Sequence, residues 1–174
     1  VTTATGTTYN FDEVVVTCPL GWLKQNTSAF TPALPPRLEQ AITNISYGRL
    51  EKVYVTVPHA FWHIDNDTNT NTNTVFAQFL DPSYAPHPTH LEWNQEFVSL
   101  ASLPDPHAHP TLLFYTYGDG GAEIINRLSG LDPSSPEYRD SLIETLHPFY
   151  SRLPGYSAEN PDCVPVALFA TQWQ

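Results

Sequence analysis

The sequence predicts an α+β fold in which a mixed or antiparallel sheet is flanked by a few helices. Three observations carry that expectation. Short β-branched, partly alternating segments recur along the chain, at Val14-Val15-Val16-Thr17, at residues 50–57 and again toward the end. Two stretches carry apolar residues at helical spacing behind a proline or a cap signal. Strands and helices interleave without an internal repeat, which excludes a solenoid or propeller. At 174 residues, one core with long loops fits the length.

The elements follow in order. The polar stretch Thr5-Gly6-Thr7-Thr8 reads as a hairpin turn, and the run Val14 to Thr17 reads as a strand that stops in a turn at Pro19-Leu20-Gly21. Pro35-Pro36 sits where prolines are tolerated, at a helix start, with Leu38, Ala41, Ile42 and Ile45 on one face. After Gly48 a second strand covers residues 50–57, where Leu50, Val53, Val55 and Val57 are apolar around an embedded Lys52. Residues 65–74 are almost wholly Asn, Asp and Thr and read as a surface loop. Strand character resumes at residues 75–80, around 92–100 and at 111–117, with connectors rich in Pro and His between them.

Gly118-Asp119-Gly120-Gly121 reads as a tight turn before a helix over residues 122–128, with Gly130 as its C-terminal cap. Ser134-Ser135-Pro136-Glu137 resembles a capped start for a second helix, with Tyr138, Leu142, Leu146, Phe149 and Leu153 on its apolar face and Pro148 expected to kink or end it. Residues 164–173 read as a last strand running into the terminus without a turn signal.

Composition narrows the function classes. The chain is 41% hydrophobic and only 14% charged, which excludes a disordered polyelectrolyte. Lys plus Arg is 7 against 18 for Asp plus Glu, and the resulting net charge of −11 repels phosphate backbones and excludes the usual electrostatic footprint of a nucleic-acid binder. A cationic partner suits that balance, as does a merely solubilising surface. No run approaches the roughly 20 apolar residues of a membrane span. The 17 prolines are dispersed and read as loop punctuation. Two cysteines, Cys18 and Cys163, fit either redox compartment, and the sequons at Asn26, Asn44 and Asn66 are too short a pattern to imply secretion.

Few constellations invite chemistry. His107 and His109, with His87 and His90, lie among prolines in loops, where solvated histidines are commoner than metal ligands; no metal site is expected. Gly118 to Gly121 lacks the spacing of a phosphate-binding loop, and no serine sits in a nucleophile elbow. Lys52 stands out. On an apolar strand it either snorkels to solvent or is held in a polar pocket where an amine does work.

Four separated motifs carry a resemblance. Residues 11–24 read Phe-Asp-Glu-Val-Val-Val-Thr-Cys-Pro-Leu-Gly-Trp-Leu-Lys; residues 30–36 read Phe-Thr-Pro-Ala-Leu-Pro-Pro; residues 45–53 read Ile-Ser-Tyr-Gly-Arg-Leu-Glu-Lys-Val; and Phe61-Trp62 follows. In this order they resemble the flavin-containing amine oxidase family, which includes polyamine oxidases, monoamine oxidases and flavin-dependent histone demethylases. The remainder, to Ala170-Thr171-Gln172-Trp173, is similar to the substrate-binding portion of fungal polyamine or monoamine oxidase-like members, more loosely.

The resemblance implies a role for Lys52, which in the family reaches a water beside the flavin N5 and assists amine oxidation or reoxidation by oxygen. It implies that Thr17, Cys18 and Pro19 approach the cofactor and that Trp173 lies against it. The implied reaction is hydride transfer from the amine α-carbon to FAD, hydrolysis of the imine, and release of peroxide as oxygen accepts the electrons. The family's Gly-x-Gly-x-x-Gly segment for the pyrophosphate is not in this sequence, nor is its Gly-Glu segment, so no FAD is expected on this chain alone.

The expectation is therefore a portion of a larger enzyme. Residues 1–24 would form the edge of the flavin-binding domain and residues 25–174 a truncated substrate-binding domain, inactive in isolation. The lack of any Met agrees with that expectation. Its partners would be an amine substrate and the remaining flavin-binding domain, with exposed apolar surface favouring self-association. Another class of reading is a non-catalytic binding module of the same shape; a metal-dependent hydrolase built on the His-rich loops is more remote.

Overall fold

A computed structural model describes residues 1–63, 74–80 and 94–173, which form two compact units, Val1–Tyr47 and Gly48–Gln174. In the first unit the Thr-rich start closes a small hairpin. Thr2 and Thr8 form a bridge, the Thr3 N–H donates to the Thr7 carbonyl at 2.9 Å, and Gly6 takes the turn at φ 84°. The expected strand at Val14 to Thr17 does not form: Val14, Val15 and Val16 are 59%, 85% and 51% exposed and extended without a ladder partner. β-Branched residues favour strands only where cross-strand and same-face neighbours bury them, and this unit supplies none.

The expected turn after Pro19 is instead a short helix, α1 (Leu20–Gln25), with Pro19 in the N-cap position and Asn26 at its end, where the side-chain amide donates to the Trp22 carbonyl at 2.8 Å. Helix α2 (Pro36–Asn44) forms as expected, with Pro36 in its first turn. Ile42 is buried, whereas Leu38 and Ile45 of the same apolar stripe remain exposed. Lys24 Nζ donates to the Thr43 carbonyl at 2.8 Å, placing a cation on an otherwise unpaired group at the C-terminus of α2, and the Tyr47 hydroxyl accepts from the Gly21 N–H at 3.0 Å.

The second unit is a five-stranded, wholly antiparallel sheet on which two helices pack. The strands are β1 (Leu50–Thr56), β2 (Phe76–Phe79), β3 (Gln95–Ser99), β4 (Thr111–Tyr117) and β5 (Ala167–Ala170), in the order β2-β3-β4-β1-β5. The α+β expectation holds, and of its mixed and antiparallel variants the sheet is the antiparallel one. The last strand pairs only over Ala167–Ala170, shorter than the expected residues 164–173: a 3-10 turn at Pro161–Cys163 precedes it, and Pro165, which has no N–H, lies in its expected first part.

Period-two alternation sets the two faces. Val53 and Val55 of β1, Phe97 of β3, and Leu112 and Phe114 of β4 are fully buried against the helices. Phe97 and Phe114 lie 5.5 Å apart, and Phe79 reaches Phe149 at 5.3 Å. Each such side chain contributes about 1.5–3 kcal/mol by leaving water.

Helix α3 (Gly118–Leu128) begins four residues before its expected start. Only Gly118, at φ 58°, makes the turn, and Asp119 to Gly121 are already helical. Gly121 allows the helix to approach β4, since a Cβ there would stand 3.0 Å from the Thr116 carbonyl oxygen. Gly130, at φ 76°, ends it as expected. Helix α4 (Pro136–Tyr150) is capped by Ser135, whose Oγ accepts from the Tyr138 N–H at 3.1 Å. Pro148 neither halts it on the spot nor precedes its end by more than two residues. It lies in the last turn, two residues before the helix ends.

Among the described residues no helix is long and apolar enough to cross a membrane. The expected loop at residues 65–74 lies outside the described residues except for Thr74, as does the start of the expected strand near Glu92.

Candidate functional site

The pleat of β1 separates two charged neighbours. Val53 and Val55 face the helices, so Glu51 faces them too and is fully buried, while Lys52, Tyr54 and Thr56 point to the other face and are half-buried. On that second face, register places Tyr115 of β4 opposite Lys52 and Glu96 of β3 opposite Tyr115. Tyr54 and Phe169 add an aromatic pair at 6.0 Å, and Phe76, Tyr117 and Phe169 are exposed. Lys52 Nζ lies 5.8 Å from the Tyr115 ring centroid, within cation–π range. No carboxylate lies within ion-pair distance of it among the described residues. Lys52 is thus neither stretched into bulk water nor neutralised; its stem runs along the sheet and its charge sits above an aromatic ring.

The backbone of Lys52 is fixed by the segment that follows β5. Its N–H donates to Thr171 Oγ1 at 2.9 Å, and its carbonyl accepts from the Thr171 N–H at 2.9 Å. Thr171 Oγ1 donates to Glu51 Oε2 at 2.7 Å, and the Trp173 N–H reaches Glu51 Oε1 at 3.1 Å and Oε2 at 3.3 Å. Lys52 and Trp173 are thereby brought to one edge of the second unit, with the Trp173 side chain 71% exposed. Thr17, Cys18 and Pro19 belong to the first unit. Thr17 and Pro19 are exposed, Cys18 is half-buried, and Pro19 precedes the first turn of α1. Cys18 and Cys163 are both free thiols.

Glu51 and Thr171 were not singled out by the sequence. The signal for Glu51 is the strand's own period: if Val53, Val55 and Val57 face inward, residue 51 does as well, and an acid there needs donors. Nothing local in the sequence points to Thr171.

The described histidines do not gather into a metal centre. Among the described residues no three His, Cys, Asp or Glu side chains are placed to hold an ion. His59 Nδ1 meets Asp162 Oδ1 at 2.9 Å near the surface, and His109 Nδ1 meets Thr111 Oγ1 at 2.6 Å. Burial lowers the pKa of His63, beside Ser102. His87 and His90 lie outside the described residues.

A flavin fits these residues only in part. A cation over an aromatic ring suits the edge or face of a planar heterocycle rich in acceptors. A pyrophosphate cradle needs glycine amides free to approach phosphate. Here the Gly118 N–H donates to the Arg49 carbonyl at 3.0 Å, and Gly121 is packed on Thr116 and Glu51. The glycine run is used for packing a helix on a strand.

Comparison with known proteins identifies the family. The family described as flavin containing amine oxidoreductase matches residues 1–160, which include Thr17 to Pro19 and Lys52 but not Trp173. Lysine-specific histone demethylase 1 homolog 1 of Oryza sativa subsp. japonica is 39% identical over 145 residues, 83% of this chain and 14% of that protein. FLOWERING LOCUS D of Arabidopsis thaliana is 39% identical over 88 residues, 48% of this chain and 11% of that protein. Polyamine oxidase 3 of Oryza sativa subsp. japonica is 40% identical over 62 residues, 36% of this chain and 13% of that protein. The chain thus spans a small part of the length of these relatives, and with a family match over most of its residues it belongs to the flavin-containing amine oxidoreductases.

Proposed function

We propose that this chain supplies the amine-binding wall of an FAD-dependent amine oxidase, with residues 25–174 as the substrate-binding portion and residues 1–24 as the edge of the flavin-binding domain. The observation that carries the reading is Lys52, a cation without a carboxylate partner among the described residues, held above Tyr115 on the face of the sheet away from the helices. FAD, held mainly by the rest of the enzyme, supplies the two-electron acceptor through which an amine becomes an imine and oxygen becomes peroxide.

The chain's own residues position and exclude. Lys52 Nζ holds a water by donating to it and assists proton movement there. Tyr54 and Phe169 offer aromatic faces that attract an alkylammonium and shed water. On the family resemblance, Trp173 in the second unit and, separately, Thr17 to Pro19 in the first are the proposed cofactor contacts. Peptidyl lysine and polyamine, the substrates named in the relatives, are both cationic alkyl amines, and the net charge of −11 favours their approach.

The chain carries no pyrophosphate cradle, so FAD titrated into these 174 residues should keep the spectrum of free flavin, while the flavin-loaded full-length protein should bleach when an amine is added without oxygen. Stoichiometric flavin on this chain alone would overturn the division of labour. A full-length flavoprotein that no alkyl amine bleaches would overturn the amine reading.

A further inference from the structure

We propose that Glu51 is a positioning residue that sets both Lys52 and Trp173 toward the cofactor, an inference that rests on the flavin-side reading of those two residues. The buried carboxylate has no cation beside it among the described residues and no route to water, so its three short contacts must replace its hydration. All three lead to the segment after β5: one from the Thr171 hydroxyl and two from a single N–H, that of Trp173, shared between its oxygens.

The regular β1–β5 ladder ends at Ala170 opposite Val53. Past that point, a strand end would fray unless a side chain held it. Thr171 is held by the backbone of Lys52 on both its N–H and its hydroxyl, and that hydroxyl also donates to Glu51. Among the described residues it is Glu51 that accepts from the Trp173 N–H. One buried acid therefore couples the strand position that carries the lysine to the position that carries the tryptophan, 122 residues apart in sequence. The stem of Glu51 lies beside Gly121 of α3, where an added Cβ would stand 3.6 Å from Glu51 Cγ.

Hydrogen exchange on this chain, read on the peptide that ends in Trp173, separates clamp from bulk packing. Glu51→Ala should speed exchange of the Trp173 amide about tenfold while the β1 and β4 amides stay protected, and Glu51→Gln, which keeps an acceptor oxygen, should restore most of that protection. Glu51→Leu fills the volume without an acceptor and gives the same readout if the alanine variant does not fold. In the flavin-loaded full-length protein, Trp173→Phe should raise flavin fluorescence by removing an indole quencher, Glu51→Leu should raise it likewise, and Glu51→Gln should not. Unchanged exchange in a folded Glu51→Ala or Glu51→Leu variant overturns the clamp. Faster exchange with unchanged flavin fluorescence, where Trp173→Phe does raise it, overturns the positioning role. If Trp173→Phe itself leaves the flavin unchanged, the flavin-side reading of Trp173 has failed and the positioning role falls with it.

Discussion

The indole N–H of Trp62 donates to the hydroxyl of Ser99 at 2.9 Å, and both side chains are buried in the core of the second unit. The bond joins the segment after β1 to the end of β3. It also satisfies the single polar atom of the largest side chain in that core.

Ser99→Ala deletes the acceptor and leaves the indole N–H buried without a partner. The unfolding free energy should fall by about 1–3 kcal/mol, the cost of an orphaned buried donor. Urea unfolding followed by far-UV circular dichroism checks this. Ser99→Thr, which keeps a hydroxyl, should recover part of the loss.

The sequence made the sheet-and-helix class, α2, β1, β4 and α4 legible because each combines a periodic apolar face with its own start or stop signal. It misled at Val14 to Val16, where β-branched residues promise a strand but no partner strand stands within the unit, and at α1, six residues containing Gly21 and no buried side chain. Of the site, Lys52 was legible as a charge embedded in an apolar strand. Glu51 was not singled out, although the same alternation turns it inward. Its donors lie about 120 residues further on, and such pairing is fixed by tertiary register, which no local pattern encodes.

Alkaline pH should loosen the second unit through Tyr150. Burial, reinforced by the neighbouring Tyr156 phenol and opposed by Arg139, pushes its pKa from the usual 10 up to about 12. The unfolded chain therefore loses this proton before the folded one does. The stability the group contributes is fully present below pH 10 and is lost as pH rises through 12. Urea midpoints measured across that window should fall with pH in the wild type and fall less in Tyr150→Phe. Parallel curves for the two proteins would show that Tyr150 does not carry the dependence.

Lys52 carries the central claim, and Lys52→Met in the flavin-loaded full-length protein tests it most directly. Methionine keeps the length and apolar stem but removes the ammonium that sits over Tyr115. FAD content should be unchanged, since the proposed division of the enzyme leaves the pyrophosphate to other residues. Stopped-flow absorbance should show either flavin reduction by amine or reoxidation by oxygen slowed by about 10²-fold or more, the scale of a lost acid or base. Both steps within about twofold of wild type, with FAD fully bound, would contradict the account.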